Sequence, residues 1–207
     1  MKGQPIDEWL GALGSRTPTP GGGAAAALIA ATAASLISMV AEYTTGERWA
    51  DRSKQMESLG EQARKIGDEA IGLAGEDAAA FAEVGDAYSM PKATESEQAA
   101  RDATIQKALA SAAQPPRRVG ELAIELIRLA EGLVESGNPN VISDVAVAAS
   151  FAGAALESAI VNVEVNAAAL SDEDAQLELT RVADSLGEGV ASAAAVVARV
   201  RAGLRPR

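Results

Sequence analysis

Two aspartates, a set of asparagines, a run of glycines and one lysine are the residues of this chain whose types and spacing could do chemistry together. Asp77 stands four residues before Phe81 in Glu76-Asp77-Ala78-Ala79-Ala80-Phe81, so carboxylate and ring share one helix face. A carboxylate among an aromatic ring and alanines is partly desolvated, which raises its pKa and suits acid–base work; a solvated helix acid is the plainer alternative. Asp144 follows Asn138, Asn140 and Ser143 in Gly137-Asn138-Pro139-Asn140-Val141-Ile142-Ser143-Asp144. There Pro139 blocks helix, Asn140 is the expected cap of the next helix, and Ser143 and Asp144 fall in its first turn, where the dipole favours a carboxylate with or without a site role. Asn162 and Asn166 are also four apart, so two amides leave one face of an otherwise apolar helix. Such a pair either ties helices together or forms a polar wall for a heteroaromatic ligand. Lys92, in Tyr88-Ser89-Met90-Pro91-Lys92, adds a cation.

The chain contains neither histidine nor cysteine. Zinc, copper, haem and iron–sulfur sites normally draw on those ligands, so no metal and no tightly bound cofactor is expected. A histidine-based triad or proton shuttle is excluded, as are disulfides and thiol chemistry. Acid and base must come from carboxylate, lysine, tyrosine or water. With 29 acidic against 18 basic residues, the net charge of −11 speaks against nucleic acid or an anionic membrane as partner. An anionic small molecule remains open where Lys and Arg gather locally.

These groups need rigid elements to hold them. Thr17-Pro18-Thr19-Pro20-Gly21-Gly22-Gly23 leads into Ala24-Ala25-Ala26-Ala27, and from there to Ala41 no residue is charged. The prolines keep the lead-in extended, and the glycines admit positive φ or close approach by another backbone or a ligand. A helix N-terminus fed by glycines is also an anion or dipole site, although the glycines alone could serve a crowded core. No Gly-Lys-Ser/Thr follows and no strand precedes, so neither a P-loop nor a dinucleotide fingerprint is present. The helix from Ala24 has no strongly polar face and is expected to be the central buried one.

That run approaches the roughly 20 residues of a membrane span. Its Ala, Gly, Ser and Thr content makes it weakly hydrophobic, no Lys or Arg cluster flanks it, and Met1-Lys2-Gly3-Gln4-Pro5 lacks an apolar signal block, so a cytoplasmic protein is expected. Helix formers dominate, aromatics are 3%, and sustained β alternation is absent, which predicts an all-α chain. Its 207 residues suit one domain, a bundle of six or seven helices. Their predicted stripes are Ile6, Trp9, Leu10 and Leu13; then Met56, Leu59, Ala63, Ile66, Ala70 and Leu73; then Val119, Leu122, Leu126, Ile127 and Val134. Thr94-x-x-Glu97 has the form of a capping box. A helix from Val141 to about Leu170 is followed by a single final helix from Ser171-Asp172-Glu173, with a basic tail after Gly203. An uncharged, alanine-rich surface of this length calls for more covering than a few neighbouring helices supply, and a two-fold dimer is the simplest remedy.

Five blocks in this order, namely Pro18-Thr19-Pro20-Gly21-Gly22-Gly23, Glu76 to Phe81, Tyr88 to Lys92, Gly137 to Asp144, and Asn162-Val163-x-x-Asn166, resemble the C-terminal family of formiminotransferase-cyclodeaminase. The resemblance spans about residues 5–200 of a single domain. It implies an all-α fold, a two-fold dimer and tetrahydrofolate derivatives as ligands, with activity as a methenyltetrahydrofolate cyclohydrolase or a formimidoyltetrahydrofolate cyclodeaminase. A non-catalytic folate-binding or scaffolding dimer is the alternative from another class. By resemblance Asp77, Asp144 and Lys92 are the catalytic candidates. Pro20, Gly21, Gly22, Gly23, Phe81, Asn138, Asn140, Ser143, Asn162 and Asn166 are the candidates for substrate binding. Ala24 departs from the serine usual after the glycines in that family, which removes a hydroxyl.

Overall fold

The computed structural model describes residues 3–204; the basic tail from Arg205 lies outside the described residues. Eight α-helices follow one another, and no strand occurs among the described residues: α1 (Ile6–Leu13), α2 (Gly22–Glu42), α3 (Ser53–Tyr88), α4 (Glu95–Ala112), α5 (Gln114–Ser136), α6 (Ile142–Ala169), α7 (Glu173–Gly187) and α8 (Val190–Leu204). Short 3₁₀ turns precede α3 and α6. The single final helix expected from the sequence is two, because the chain breaks at Glu188-Gly189. Gly189 lies where a Cβ would come within 3.0 Å of Ile124 and 3.2 Å of Leu156, so the break docks backbone against α5 and α6.

α2 packs on α3, α5 and α6. Its alanines do most of this: Ala24, Ala27, Ala30 and Ala33 are fully buried together with Ile37 and Val40. Small residues let the backbones approach closely. A Cβ on Gly67 of α3 would stand 3.3 Å from that of Ala34, and one on Gly60 would stand 3.4 Å from that of Ala41. Gly60 thus meets the end of α2, Gly67 its middle, and Asp77 its start at Gly23, so α2 and α3 run antiparallel.

α6 is antiparallel to α2 as well. Gly22 at the start of α2 faces Asn162 near the end of α6, while Asn138 just before α6 donates from its amide to the carbonyl of Tyr43 at 2.8 Å. Thr44 clamps the same corner: its hydroxyl donates to the Val40 carbonyl at 2.7 Å and accepts from the Asn138 N–H at 3.0 Å. It is fully buried, and both bonds offset the desolvation of its oxygen.

The predicted stripes of α3 and α5 are buried as expected, with Val134 half-buried. In α1 only Trp9 is buried, and Ile6 and Leu10 are exposed. α2 and α6 each keep an uncharged outer stripe that the chain itself does not fully cover, from Leu28 to Met39 on α2 and from Val147 to Val165 on α6. α4 opens with the capping box read from the sequence, Thr94 and Glu97 each satisfying the other's backbone N–H.

Candidate functional site

Asp77 projects from α3 onto the first turn of α2. No side chain caps α2 at Gly21; instead the backbone N–H of Ala24 donates to the Asp77 carboxylate. A carboxylate from another helix therefore meets the positive end of α2, so the anion site expected at the glycines is filled by the chain's own acid. Gly23 makes this approach possible. A Cβ there would overlap the carboxyl group, lying 2.8 Å from even the farther oxygen. None of Gly21 to Gly23 has a positive φ, so close approach is what this run supplies, and Gly23 is the residue that requires it. Burial pushes the Asp77 carboxyl above the usual aspartate range, partly opposed by the Ala24 N–H. The side chain of Ala24 is itself fully buried, so this residue serves the site through its backbone.

Asn162 borders this point from α6 and Asn166 follows one turn further along that helix, both half-buried. The Asn162 amide donates to the Ser158 carbonyl at 2.7 Å within its own helix, and its side chain lies 3.8 Å from the place of a Cβ on Gly22. Asn166 donates to the Asn162 carbonyl at 2.9 Å and reaches the last residue of α4, Ala112, at 3.4 Å. Asn166 is thus a tie between helices, while Asn162 sits at the lip of the glycine turn. Phe81, one turn beyond Asp77, is 53% exposed, an open ring beside the carboxylate. Pro20 is half-buried at the entry to α2.

The other candidates lie elsewhere in the chain. Lys92 is exposed beyond the end of α3, about 16 Å of helix past Asp77. Asn138, Asn140, Ser143 and Asp144 gather at the opposite end of α6 from Asn162. Asp144 is in the first turn of α6 as expected, but the cap differs from expectation: Asn138 accepts the N–H of Asn140 at 3.0 Å and closes the 3₁₀ turn, while Asn140 itself is exposed. Asn138 is better placed because its preceding backbone is already anchored to Thr44. The Ala24 N–H and the Ala112 carbonyl take part as well, and backbone groups such as these carry no signal of their own in a sequence.

One chain therefore brings together Asp77, Gly22, Gly23 and Asn162, with Phe81 one turn further along α3. Such a set can hold a planar, nitrogen-rich ligand by hydrogen bonds, stabilise a positive charge beside a carboxylate and move a proton at that carboxylate. No group of three or more potential acidic metal ligands gathers among the described residues. The groove between α2 and α3 lined by Ser35, Ser38, Arg64 and Asp68, and that between α3 and α5 lined by Glu69, Glu76 and Arg118, both stop short of Asp77.

The sequence profile of the formiminotransferase-cyclodeaminase family matches residues 5–185. The chain belongs to this family. It is 42% identical over 168 residues to a methenyltetrahydrofolate cyclohydrolase of Methylorubrum extorquens, covering 81% of each chain. It is 32% identical over 193 residues to the formimidoyltransferase-cyclodeaminase of Rattus norvegicus, 92% of this chain but 36% of that longer protein. The crystal structure of formiminotetrahydrofolate cyclodeaminase from Thermotoga maritima superposes with a TM-score of 0.82 at 31% identity, covering 97% of this chain and 96% of that one. These relatives are enzymes of folate metabolism.

Proposed function

We propose that the chain is a folate one-carbon enzyme that hydrolyses 5,10-methenyltetrahydrofolate to 10-formyltetrahydrofolate. The observation that carries this reading is the half-buried Asp77 carboxylate held at the start of α2 beside Gly23 and Asn162, its pKa raised by burial. The similarity to the Methylorubrum cyclohydrolase across most of both chains supports the choice of substrate.

In this reaction the bridging carbon between N5 and N10 is an amidinium cation. Ionised Asp77 stabilises that charge and accepts a proton as water adds to the carbon. The tetrahedral adduct then opens by breaking the carbon–N5 bond, leaving the formyl group on N10, while N5 takes up a proton. The balance is one water consumed and one proton released. A carboxyl with a raised pKa suits both directions of proton movement better than an ordinary exposed aspartate. Asn162 would hydrogen-bond the pterin or amidine, and the exposed Gly22 would let it lie against the backbone, Gly23 being taken up by the Asp77 carboxylate. Lys92 is assigned to the glutamate tail of the substrate or to proton transfer.

The second reading is formimidoyltetrahydrofolate cyclodeaminase, favoured by the likeness to the Thermotoga cyclodeaminase over nearly the whole of both chains. There N10 attacks the formimino carbon on N5 and ammonia leaves, again requiring only proton transfers. In either case the whole chain is read as one catalytic domain, working in the cytoplasm as a two-fold pair in which a partner covers α2 and makes it the central helix. The test is the decay of 5,10-methenyltetrahydrofolate absorbance in non-nucleophilic buffer against a no-enzyme blank. Acceleration establishes the cyclohydrolase. Its absence, with ammonia release from 5-formimidoyltetrahydrofolate, establishes the cyclodeaminase.

A further inference from the structure

α3 is 36 residues long, and the half that carries Asp77 outruns the helix it rests on. Its packing on α2 ends where α2 begins, at Gly23, and from Gly75 to Asp86 no residue of α3 is buried. Gly72 and Gly75 stand at the start of that free stretch. A Cβ on either would have nothing within 4 Å, so neither packing nor a positive φ calls for glycine there, although each weakens the helix relative to alanine. The returning chain is weakened at the same level, where α4 passes into α5. Pro115 and Pro116 have no N–H, so the carbonyls of Ser111 and Ala112 lose their helical donors, and Asn166 supplies the Ala112 carbonyl with a long 3.4 Å bond instead. Between the two weak points runs an open cleft of about 520 Å³, lined in part by Leu73, Glu76, Gln114 and Pro115, which leaves room for either helix to lean.

Beyond those points the hairpin of α3 and α4 is tied to itself. Arg101 donates from Nε and Nη2 to the Tyr88 carbonyl at 3.3 and 3.2 Å, and its guanidinium stands 5.5 Å from the centre of the Tyr88 ring. The Glu97 carboxylate accepts the N–H groups of Ala93 and Thr94 at 2.8 and 2.9 Å, and Gln98 donates to the Lys92 carbonyl at 3.1 Å. Towards the rest of the chain the hairpin offers less: Ile105 and Leu109 enter a small core with Val163, Leu170 and Leu179, separate from the main one around α2. A segment tied within itself and weak at both roots moves as a body about those roots. A turn of about 15° there shifts Asp77, two residues past Gly75, by about 1 Å, but shifts Tyr88 by about 5 Å. The acid keeps its place on Gly23 while the tip travels.

We propose that the α3–α4 hairpin is a hinged cover over the Asp77 site. It turns at Gly72 and Gly75 on one side and at Pro115 and Pro116 on the other; opening admits the ligand, and closing brings Phe81 and Lys92 down on it. Phe81, an open ring in this structure, then gains a flat ligand to rest against. Lys92, exposed about 16 Å of helix beyond the acid, is carried towards a tail that extends from the reacting ring. Gly72 and Gly75 touch no ligand themselves; they are positioning residues that set how readily the cover moves. This inference rests on the folate reading for the ligand but not for the hinge.

Distances between spin labels test it without turnover. The chain has no cysteine, so Glu95→Cys at the tip and Glu178→Cys on α7, both exposed, take labels at those two positions alone. Without ligand, the label-to-label distribution in the otherwise wild-type chain should be at least about 4 Å wider than in Gly72→Ala/Gly75→Ala. Saturating 5-formyltetrahydrofolate, a stable folate without the cationic carbon, should narrow the wild-type distribution to one population. In stopped flow, the two alanines should slow both binding and release of that folate at least about 5-fold, with little change in Kd. Gly85→Ala is the control, since its Cβ also meets open space but lies within the arm. Each of these alanines should raise Tm by about 1–4 °C, yet Gly85→Ala should leave the distances unchanged and the rates within about two-fold. A single narrow distance in the wild type without ligand, a spread that persists in Gly72→Ala/Gly75→Ala, or an equal narrowing in Gly85→Ala would overturn the hinge. A wild-type spread that the two alanines abolish but the folate leaves unchanged would instead overturn the folate reading alone.

Discussion

The carboxylate of Asp77 occupies the space that any side chain at position 23 would need. A methyl group there must displace either the acid or the first turn of α2. Gly23→Ala is expected to lower turnover at least about 10-fold and to destabilise the fold by about 1–3 kcal/mol, the usual cost of overpacking. Gly22→Ala is the control: its Cβ would meet the Asn162 amide at an ordinary 3.8 Å, and stability should change by less than about 1 kcal/mol. Thermal unfolding and initial rates on the same preparations check both; equal losses would show that Gly23 does not set the position of the acid.

Asp77→Asn should separate function from stability. Turnover is expected to fall at least about 100-fold because proton transfer is lost. Burial raises the folded-state pKa of Asp77, so the neutral carboxyl is the form the fold favours. Its stabilising contribution is full below the unfolded value of about 3.9 and is lost as pH rises through the higher folded value. At pH 8 the neutral amide should therefore unfold about 1–2 °C above wild type, a small shift because the site is partly solvated. The difference should shrink as pH falls. A variant with lowered Tm at pH 8 would point to the Ala24 N–H bond as the larger effect.

The pH dependence of kcat/KM carries the same sign. If ionised Asp77 is the base, activity declines on the acid side with a midpoint above the ordinary aspartate value of about 3.9. A midpoint at or below that value would remove burial as the cause, and a limb unchanged in the Asp77→Glu variant would assign it to another group.

Asn166 and Asn162 should respond differently although both belong to one motif. Asn166→Ala removes the link to Ala112 and is expected to cost about 1 kcal/mol of stability. Asn162→Ala breaks only a bond within α6 and should raise KM for the folate about 10-fold with little change in Tm. Thr94→Ala, which deletes one half of the capping box and leaves the Asp77 turn untouched, should cost about 1 kcal/mol. Parallel unfolding curves and Michaelis profiles distinguish the three.

Much of this arrangement can be read from residue order. Periodic apolar residues mark the buried faces of α3 and α5, and Thr94-x-x-Glu97 marks the start of α4, because burial and capping act over one or two turns. The division of the last helix is less visible: Leu186 and Val190 continue an apolar rhythm across Glu188-Gly189, and only contact with Ile124 and Leu156 requires the bare backbone there. The site shows the same limit. Asp77 and Phe81 are legible as a pair because they share a turn, and Gly23 becomes meaningful only when α3 is laid along α2. The blocks around Asp77 and Asp144 look like one constellation in the sequence, yet the antiparallel run of α2 and α6 holds them at opposite ends of a chain. Spacing within an element is local information; which ends of two elements meet is decided by packing.

The glycine and alanine contacts between α2 and α3 also bear on which changes of chain length the protein can accept. Ala41 against Gly60, Ala34 against Gly67 and Gly23 against Asp77 form three marks along one line. One residue inserted between Gly67 and Asp77 would turn everything beyond it by about 100° and advance it about 1.5 Å, carrying the acid off Gly23 while the rest of the contact stayed in place. Substitutions at the outer positions of α3 leave those marks untouched. The line acts as a ruler for the segment: α3 can vary in composition but not in count, so length differences between functional copies should collect in the connections and beyond Tyr88.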